Sequence, residues 1–245
     1  MRALGRVLSA ETVKLSKRYV WLLILVSPVF AALIGMLAST EGEKMSWDFL
    51  LSVMGVMHSM MFLPLLSGLF TAMLCRYEHY SGGWKQLLSL PVSRSSVYLS
   101  KFIVAAVLLA AVQVLFLLCL LGVGWWRGAG GPLPWELLLP RIIGGWLATL
   151  PLAALQLAVS QAWSSFAAPL ALNVSFTLPN ILIANSATYG PYYPWVQPMI
   201  AMSPYGSDES FGAFNLPLES LMIVVLGSFV LFYAAGMISF QRKAV

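Results

Sequence analysis

Six apolar runs, each close to the 20 residues a helix needs to cross the hydrocarbon of a bilayer, recur along this 245-residue chain and leave little room for anything else. They fall at about 19–38, 50–74, 102–125, 138–162, 166–184 and 218–240. Hydrophobic residues make up 60% of the chain and charged residues 9%, where a soluble domain carries roughly a quarter charged residues. Mean hydropathy is +0.84. No polar stretch is long enough to enclose a soluble core of its own. The sequence therefore predicts an all-α polytopic membrane protein, with six transmembrane helices in a single domain over 1–245.

The placement of charge predicts orientation. With six spans, both termini share a side. Eleven of the 14 Lys and Arg then lie in the termini and even-numbered loops: Arg2, Arg6, Lys14, Lys17, Arg18, Arg76, Lys85, Arg94, Lys101, Arg242 and Lys243. Only Lys44, Arg127 and Arg141 lie opposite. By the positive-inside rule, both termini are cytoplasmic. Of the nine acids, only Glu11 and Glu78 fall inside. The net charge of +5 is thus a topology signal, since nucleic-acid binding would need a basic face on a soluble module. Cys75 and Cys119 sit near opposite ends of adjacent spans, roughly 25 Å apart in depth, too far for a disulfide. Two thiols without a histidine cluster make no metal site.

Residues 1–18 carry helical periodicity, with Leu4, Val7, Leu8 and Leu15 on one side and Arg2, Arg6, Lys14 and Lys17 on the other. That describes an amphipathic interfacial helix with its basic groups among membrane lipid headgroups. A signal peptide is disfavoured, because the next apolar run is as long as a bilayer is thick and no cleavage site follows it. The longest outer loop, 185–217, gathers Tyr192, Tyr193 and Trp195 among prolines before an apolar run. Such a segment suits an extracellular cap of short re-entrant or interfacial helices at headgroup level, with an irregular packed loop as the alternative.

Inside the spans, His58 is the one ionisable residue far from a span end, which makes it a functional candidate; helix-packing hydrogen bonds are the favoured reading over a transport role. Gln113 lies mid-span. Asn173, Thr177 and Asn180 recur at i, i+4 and i+7 on one face of span 5, and Gln156 and Ser160 pair in span 4. These groups either bond between helices or line a partly wet translocation path for an amphipathic substrate, and for span 5 both readings stay open. No catalytic constellation stands out. Glu78-His79 lacks the second histidine of a zinc helix, and there is neither a GxSxG nor a Gly-rich phosphate loop. The chain is expected to be no enzyme and to hold no cofactor.

The polar insert from Cys75 to Lys101 separates spans 2 and 3 on the cytoplasmic side. Gly82-Gly83 ends the extension of span 2, and Trp84 to Leu90 suits two helical turns. Pro91 then pushes its predecessor out of the helical region, and Ser93 or Ser95 can cap the next span. Trp84, Leu87 and Leu88 share one side of the short helix, and Lys85 and Gln86 turn away. Two turns are too few to be stable alone, so this helix must dock, on the membrane surface or on a partner.

The series Glu78, Gly82-Gly83, Lys85, Leu87-Leu88, Leu90-Pro91-Val92-Ser93-Arg94 and Lys101 resembles the first cytoplasmic loop of ABC-2-type transporter permeases. Glu11-Thr12-Val13-Lys14-Leu15 resembles the leading helix of that superfamily, especially in lantibiotic-immunity (self-protection) permeases, and Tyr193-Pro194-Trp195 is similar to an element before their last span. The resemblance implies a type V, ABC-2-like exporter fold. In it, Glu78 to Arg94 would form a coupling helix seated in a cytoplasmic ATP-binding subunit dimer. Trp84, Leu87 and Leu88 would be its anchors, Lys85 and Arg94 its charged partners, and Gly82, Gly83 and Pro91 its lever ends. ATP and Mg would belong to that partner. The resemblance further implies a second permease subunit, either a paralogue or another copy of this chain, and a place in a bacterial plasma membrane. The substrate it implies is an amphipathic antimicrobial peptide. The rivals are an ABC-2 exporter of a drug, lipid-linked glycan or ion, a membrane scaffold or sensor, and an intramembrane enzyme using His58 or His79.

Overall fold

The computed structural model describes residues 2–16, 20–40, 45–80, 82–203 and 217–243. Among them the chain is helical, with no strand. Helix α1 (Arg2–Ser16) leads to α2 (Val20–Leu37). A continuous helical run follows, built from α3 (Trp47–Met57), a π-helical stretch His58–Phe62 and α4 (Leu63–His79). The insert holds α5 (Gly83–Ser89) and opens into α6 (Arg94–Trp126), and α7 (Trp135–Ala162) follows. After α8 (Ala167–Thr177) and α9 (Asn180–Ala184) come a 3-10 turn at Gly190–Tyr192, α10 (Gln197–Met202) and α11 (Leu218–Gln241). Lys17, Arg18, Lys44 and residues 204–216 of the expected cap lie outside the described residues.

Five of these helical runs are long and apolar enough to cross a membrane: α2, Trp47–His79, α6, α7 and α11. The stretch expected as span 5 is two pieces instead. Pro179 has no N–H to continue the ladder, so α8 stops at Thr177 and Pro179 becomes the cap of α9. The 11 residues of α8 fall short of the roughly 20 that a helix needs to span.

Helix α7 is the packing centre, with α4, α6, α10 and α11 against it, while α2 runs along α6. Small residues let backbones approach, as in membrane helix pairs: a Cβ on Gly124 would fall 2.1 Å from the Trp47 ring, and one on Gly236 would fall 2.1 Å from the Tyr98 hydroxyl. The outer faces are apolar. Trp21, Leu33, Ile223, Leu226 and Leu231 are all more than half exposed, an arrangement suited to hydrocarbon rather than water.

Helix ends are closed by side chains. Ser93 caps α6 by accepting from the Ser96 N–H, which decides between the two serines. Four cations sit on carbonyls at helix C-termini, where the macrodipole is negative. Arg94 donates to the Gln241 and Lys243 carbonyls at 2.7 Å, Arg127 to Met36 and Ala38, Arg141 to Ser203, and Lys243 to Gln161.

The turn between α4 and α5 needs two glycines for two different reasons. Gly82 has φ +73°, the left-handed region that costs other residues roughly 1–2 kcal/mol. Gly83 has ordinary dihedrals, but a Cβ there would lie 2.9 Å from both the Glu78 Cα and the Tyr77 carbonyl oxygen. Gly82→Ala is therefore expected to cost about 1–2 kcal/mol, and Gly83→Ala more, because backbone must move. Equilibrium unfolding of the two variants in mixed micelles checks the order, and a costlier Gly82→Ala would refute it.

Candidate functional site

The seat of α5 is built around Trp84. Its ring is 7% exposed, packs edge-on to Phe240 at 5.3 Å and His79 at 5.6 Å, and lies under the Lys243 ammonium at 4.6 Å. Its indole N–H donates to His79 Nδ1 at 3.2 Å, while His79 Nε2 donates to the Ser160 carbonyl at 2.8 Å. A two-turn helix is thus tied at once to α4, α7 and α11. Burial holds Lys243 below the ordinary lysine value. Leu87 and Leu88 are half-buried against the same core. The inward side is therefore the apolar one, and the side left exposed carries Lys85, Gln86, Ser89, Leu90 and Pro91.

Beneath this seat four charges close a ring. Lys101 lies 3.0 Å from both Glu11 and Glu78, and Lys14 lies 2.9 Å from Glu11 and 2.6 Å from Glu78. The Lys101–Glu78 contact is an ion pair without hydrogen-bond alignment, and Lys101 also donates to the Leu74 carbonyl at 2.7 Å. Three of the four side chains are 1–3% exposed and Lys14 is 29% exposed. Two cations and two anions sum to zero, which makes burial of this size tolerable. The ring joins α1, the end of α4 and the start of α6. Glu78, read from the sequence as part of the coupling surface, is turned into it. The sequence named all four residues separately, and the signal that they meet was there: Glu11 and Glu78 are the only two acids on the basic side.

Further along the bundle most polar groups are bonded within the chain, while Gln156 Oε1, Asn180 Oδ1 and Gln197 Oε1 are buried without a hydrogen-bond partner among the described residues. His58 Nδ1 shares a hydrogen bond with the Ser27 hydroxyl at 2.6 Å, and its Nε2 meets Gln113 Oε1 at 3.1 Å. Gln113 Oε1 can only accept, so Nε2 carries a proton, and the ring is stacked 4.0 Å from Phe116. Pro64 cannot supply the N–H that the Met60 carbonyl would take in a helix, and Asn180 supplies it instead at 2.8 Å. Asn173 donates to the Pro64 carbonyl at 2.9 Å and accepts from Gln156 at 3.1 Å and Trp195 at 2.8 Å. Thr177 bonds back to the Asn173 carbonyl at 2.8 Å. The π-helical stretch and proline form an irregular joint in the Trp47–His79 helix, and α8 and α9 supply its missing bonds.

Trp195 brings the segment before α11 into this joint. Its ring is 5% exposed and stacks on Phe176 at 5.0 Å. Tyr193 donates its hydroxyl to the Phe176 carbonyl at 2.8 Å, where burial pushes its pKa up to about 12. Tyr192 is exposed, and α10 is buried along its whole length against α7.

No curated protein matches the chain. A leading helix is joined by the buried ion ring to α4 and α6, and a two-turn helix is slung between those same two long apolar helices. The family model described as ABC-2 family transporter protein covers that whole layout, matching residues 7–180 from α1 to the start of α9, and the chain belongs to the ABC-2 transporter family.

Proposed function

We propose that this chain is the permease of an ABC exporter driven by a separate cytoplasmic ATP-binding subunit dimer, and that α5 is its coupling helix. The observation that carries the reading is the seat of α5. A helix of seven residues is held through Trp84 to His79 of α4 and Phe240 of α11, and the Trp84 ring lies 5.7 Å from the Lys101 ammonium of the ion ring that ties α1, α4 and α6 together, so displacement at α5 is passed to the long helices through Trp84. The surface offered to the ATPase is the side bearing Lys85, Gln86, Ser89 and Leu90, with Trp84, Leu87 and Leu88 holding the helix to its own bundle. Arg94 orders the end of α11, and Gly82, Gly83 and Pro91 are the points where the lever bends.

In this reading both termini are cytoplasmic, α8 and α9 complete a short sixth crossing, and the segment around Tyr192, Tyr193 and Trp195 caps the extracellular side. Because His58, Gln113, Asn173, Thr177 and Asn180 are bonded within the chain, the translocation path runs between two permease subunits, with the irregular joint as part of its wall. The proposed cargo is an amphipathic, lantibiotic-type antimicrobial peptide entering sideways from a bacterial plasma membrane, where such peptides partition.

Leu90→Asp and Lys85→Glu are expected to lower co-purification of the ATP-binding subunit at least tenfold while membrane insertion is unchanged. Leu87→Asp, placed against the core, lowers yield instead. Undiminished association in both outward-face variants would overturn the coupling assignment. For cargo, cells with the chain and its neighbouring genes should tolerate lantibiotics that kill cells without them; equal sensitivity to all of them points to another ABC-2 substrate.

A further inference from the structure

A cavity of about 160 Å³ opens where the end of α4 meets the turn from α7 to α8. Its mouth is polar, lined by Arg76, Tyr80, Ser164 and Ser165, and its floor is Ala72, Phe166 and Pro169. Arg76 is exposed and has no carboxylate partner among the described residues, since the adjacent Glu78 is taken by Lys14 and Lys101. Its guanidinium carbon instead lies 5.1 Å over the Phe166 ring, a cation–π contact between two residues of the cavity lining. His79, also in the lining, is neutral and has both ring nitrogens occupied by Ser160 and Trp84. The net charge presented to the cavity is therefore one cation.

Depth is marked independently. Tyr80 is 79% exposed at the mouth, and Trp163, next to Ser164 in the chain, is 44% exposed. Exposed aromatic residues with polar edges gather at the headgroup level of membrane helices. An exposed apolar face runs along α8 from beside the cavity through Ala167, Ala171, Val174 and Leu178, with Val174 43% and Leu178 68% exposed.

We infer that this cavity binds the headgroup phosphate of an anionic phospholipid, with Arg76 as the counter-charge, Tyr80, Ser164 and Ser165 as hydrogen-bonding groups and the lipid chains laid along α8. An isolated basic side chain reaching for a lipid surface would need no concavity. Here a guanidinium over an aromatic ring and three hydroxyls line one cavity, with an apolar face of α8 beside it.

The test uses the purified full-length chain in nanodiscs and native mass spectrometry. Phosphatidylglycerol is expected to be retained over phosphatidylcholine of equal chain length. Arg76→Gln lowers its retention more than the roughly fivefold that one basic residue is worth at an anionic surface without a site, and Arg76→Lys restores part of it. Arg242→Gln, an equal loss of charge outside the cavity, lowers retention by no more than that surface value. On the unmutated chain, amide exchange over residues 163–168 slows in phosphatidylglycerol relative to phosphatidylcholine, and inorganic phosphate does not reproduce the effect. Equal losses for Arg76→Gln and Arg242→Gln, or no lipid-specific slowing, would overturn the site. So would equivalent protection by inorganic phosphate. Loss of ATP-binding-subunit association in Arg76→Gln with lipid retention intact would assign the cavity to a protein partner instead.

Discussion

Lys101→Met is expected to destabilise the protein by about 3–5 kcal/mol, the usual cost of removing one partner from a buried ion pair. Lys101 is the least replaceable member of the ring because it touches both carboxylates and also serves the Leu74 carbonyl, at 2% side-chain exposure. Its loss leaves Glu11 and Glu78 sharing one lysine, so a buried negative charge is uncompensated. Adding Glu11→Gln restores neutrality, with Lys14 and Glu78 still paired at 2.6 Å. The double variant should therefore be more stable than Lys101→Met alone, a non-additivity that only interacting groups produce. Unfolding in mixed detergent micelles reads the stability, and limited proteolysis near Gly82 reads release of α5. A Lys101→Met protein within 1 kcal/mol of the parent would show that the ring is not a fastening.

The same cycle separates holding from coupling. The ring and Trp84 fix α5 from beneath, while the outward-face variants Leu90→Asp and Lys85→Glu alter only what a partner meets. A variant of the ring should loosen α5 and weaken stability together, whereas an outward-face variant should leave stability unchanged and lose only association. Two failures with different signatures thus distinguish a broken lever from a blocked dock.

Much of this was legible in the sequence because it depended on local signals. Apolar runs of span length, the Gly82-Gly83 pair, Pro91 and Ser93 are read within a few residues, and the helices begin and end close to where they indicate. Trp84, expected to anchor α5 to a partner, packs on its own bundle. An apolar side suits a partner or its own bundle equally, and what decides here is Phe240 and Lys243, more than 150 residues away in the chain. Span 5 was drawn through Pro179 because composition averages over a break that the backbone cannot. The π-helical joint left no local trace, since its compensation comes from Asn180 and Asn173 on other helices. The polar face of those asparagines was visible as a pattern, but whether it meets water or carbonyls depends on what lies opposite.

Gly68 and Asn173 put that joint to the test. A Cβ on Gly68 would lie 2.2 Å from Asn173 Nδ2, so Gly68→Ala must displace the amide and with it the bonds to Gln156, Trp195 and the Pro64 carbonyl. Three bonds, to α4, α7 and Trp195, at roughly 0.6 kcal/mol each give a loss of about 2 kcal/mol for Asn173→Ala. Gly68→Ala should exceed it, because overpacking adds about 1–3 kcal/mol. In Gly68→Ala with Asn173→Ala the new methyl enters space the amide has left. The double variant should then cost no more than Asn173→Ala alone, far less than the sum of the two. Near-additive losses in mixed-micelle unfolding would mean that the two residues do not share a site. Because Trp195 hangs from Asn173, each single variant should also raise its exposure to an aqueous quencher, measured with Trp195 as the sole remaining tryptophan. A bend stabilised only by Pro64 would leave that quenching unchanged, so the fluorescence separates a joint held by its neighbours from one set by its own backbone.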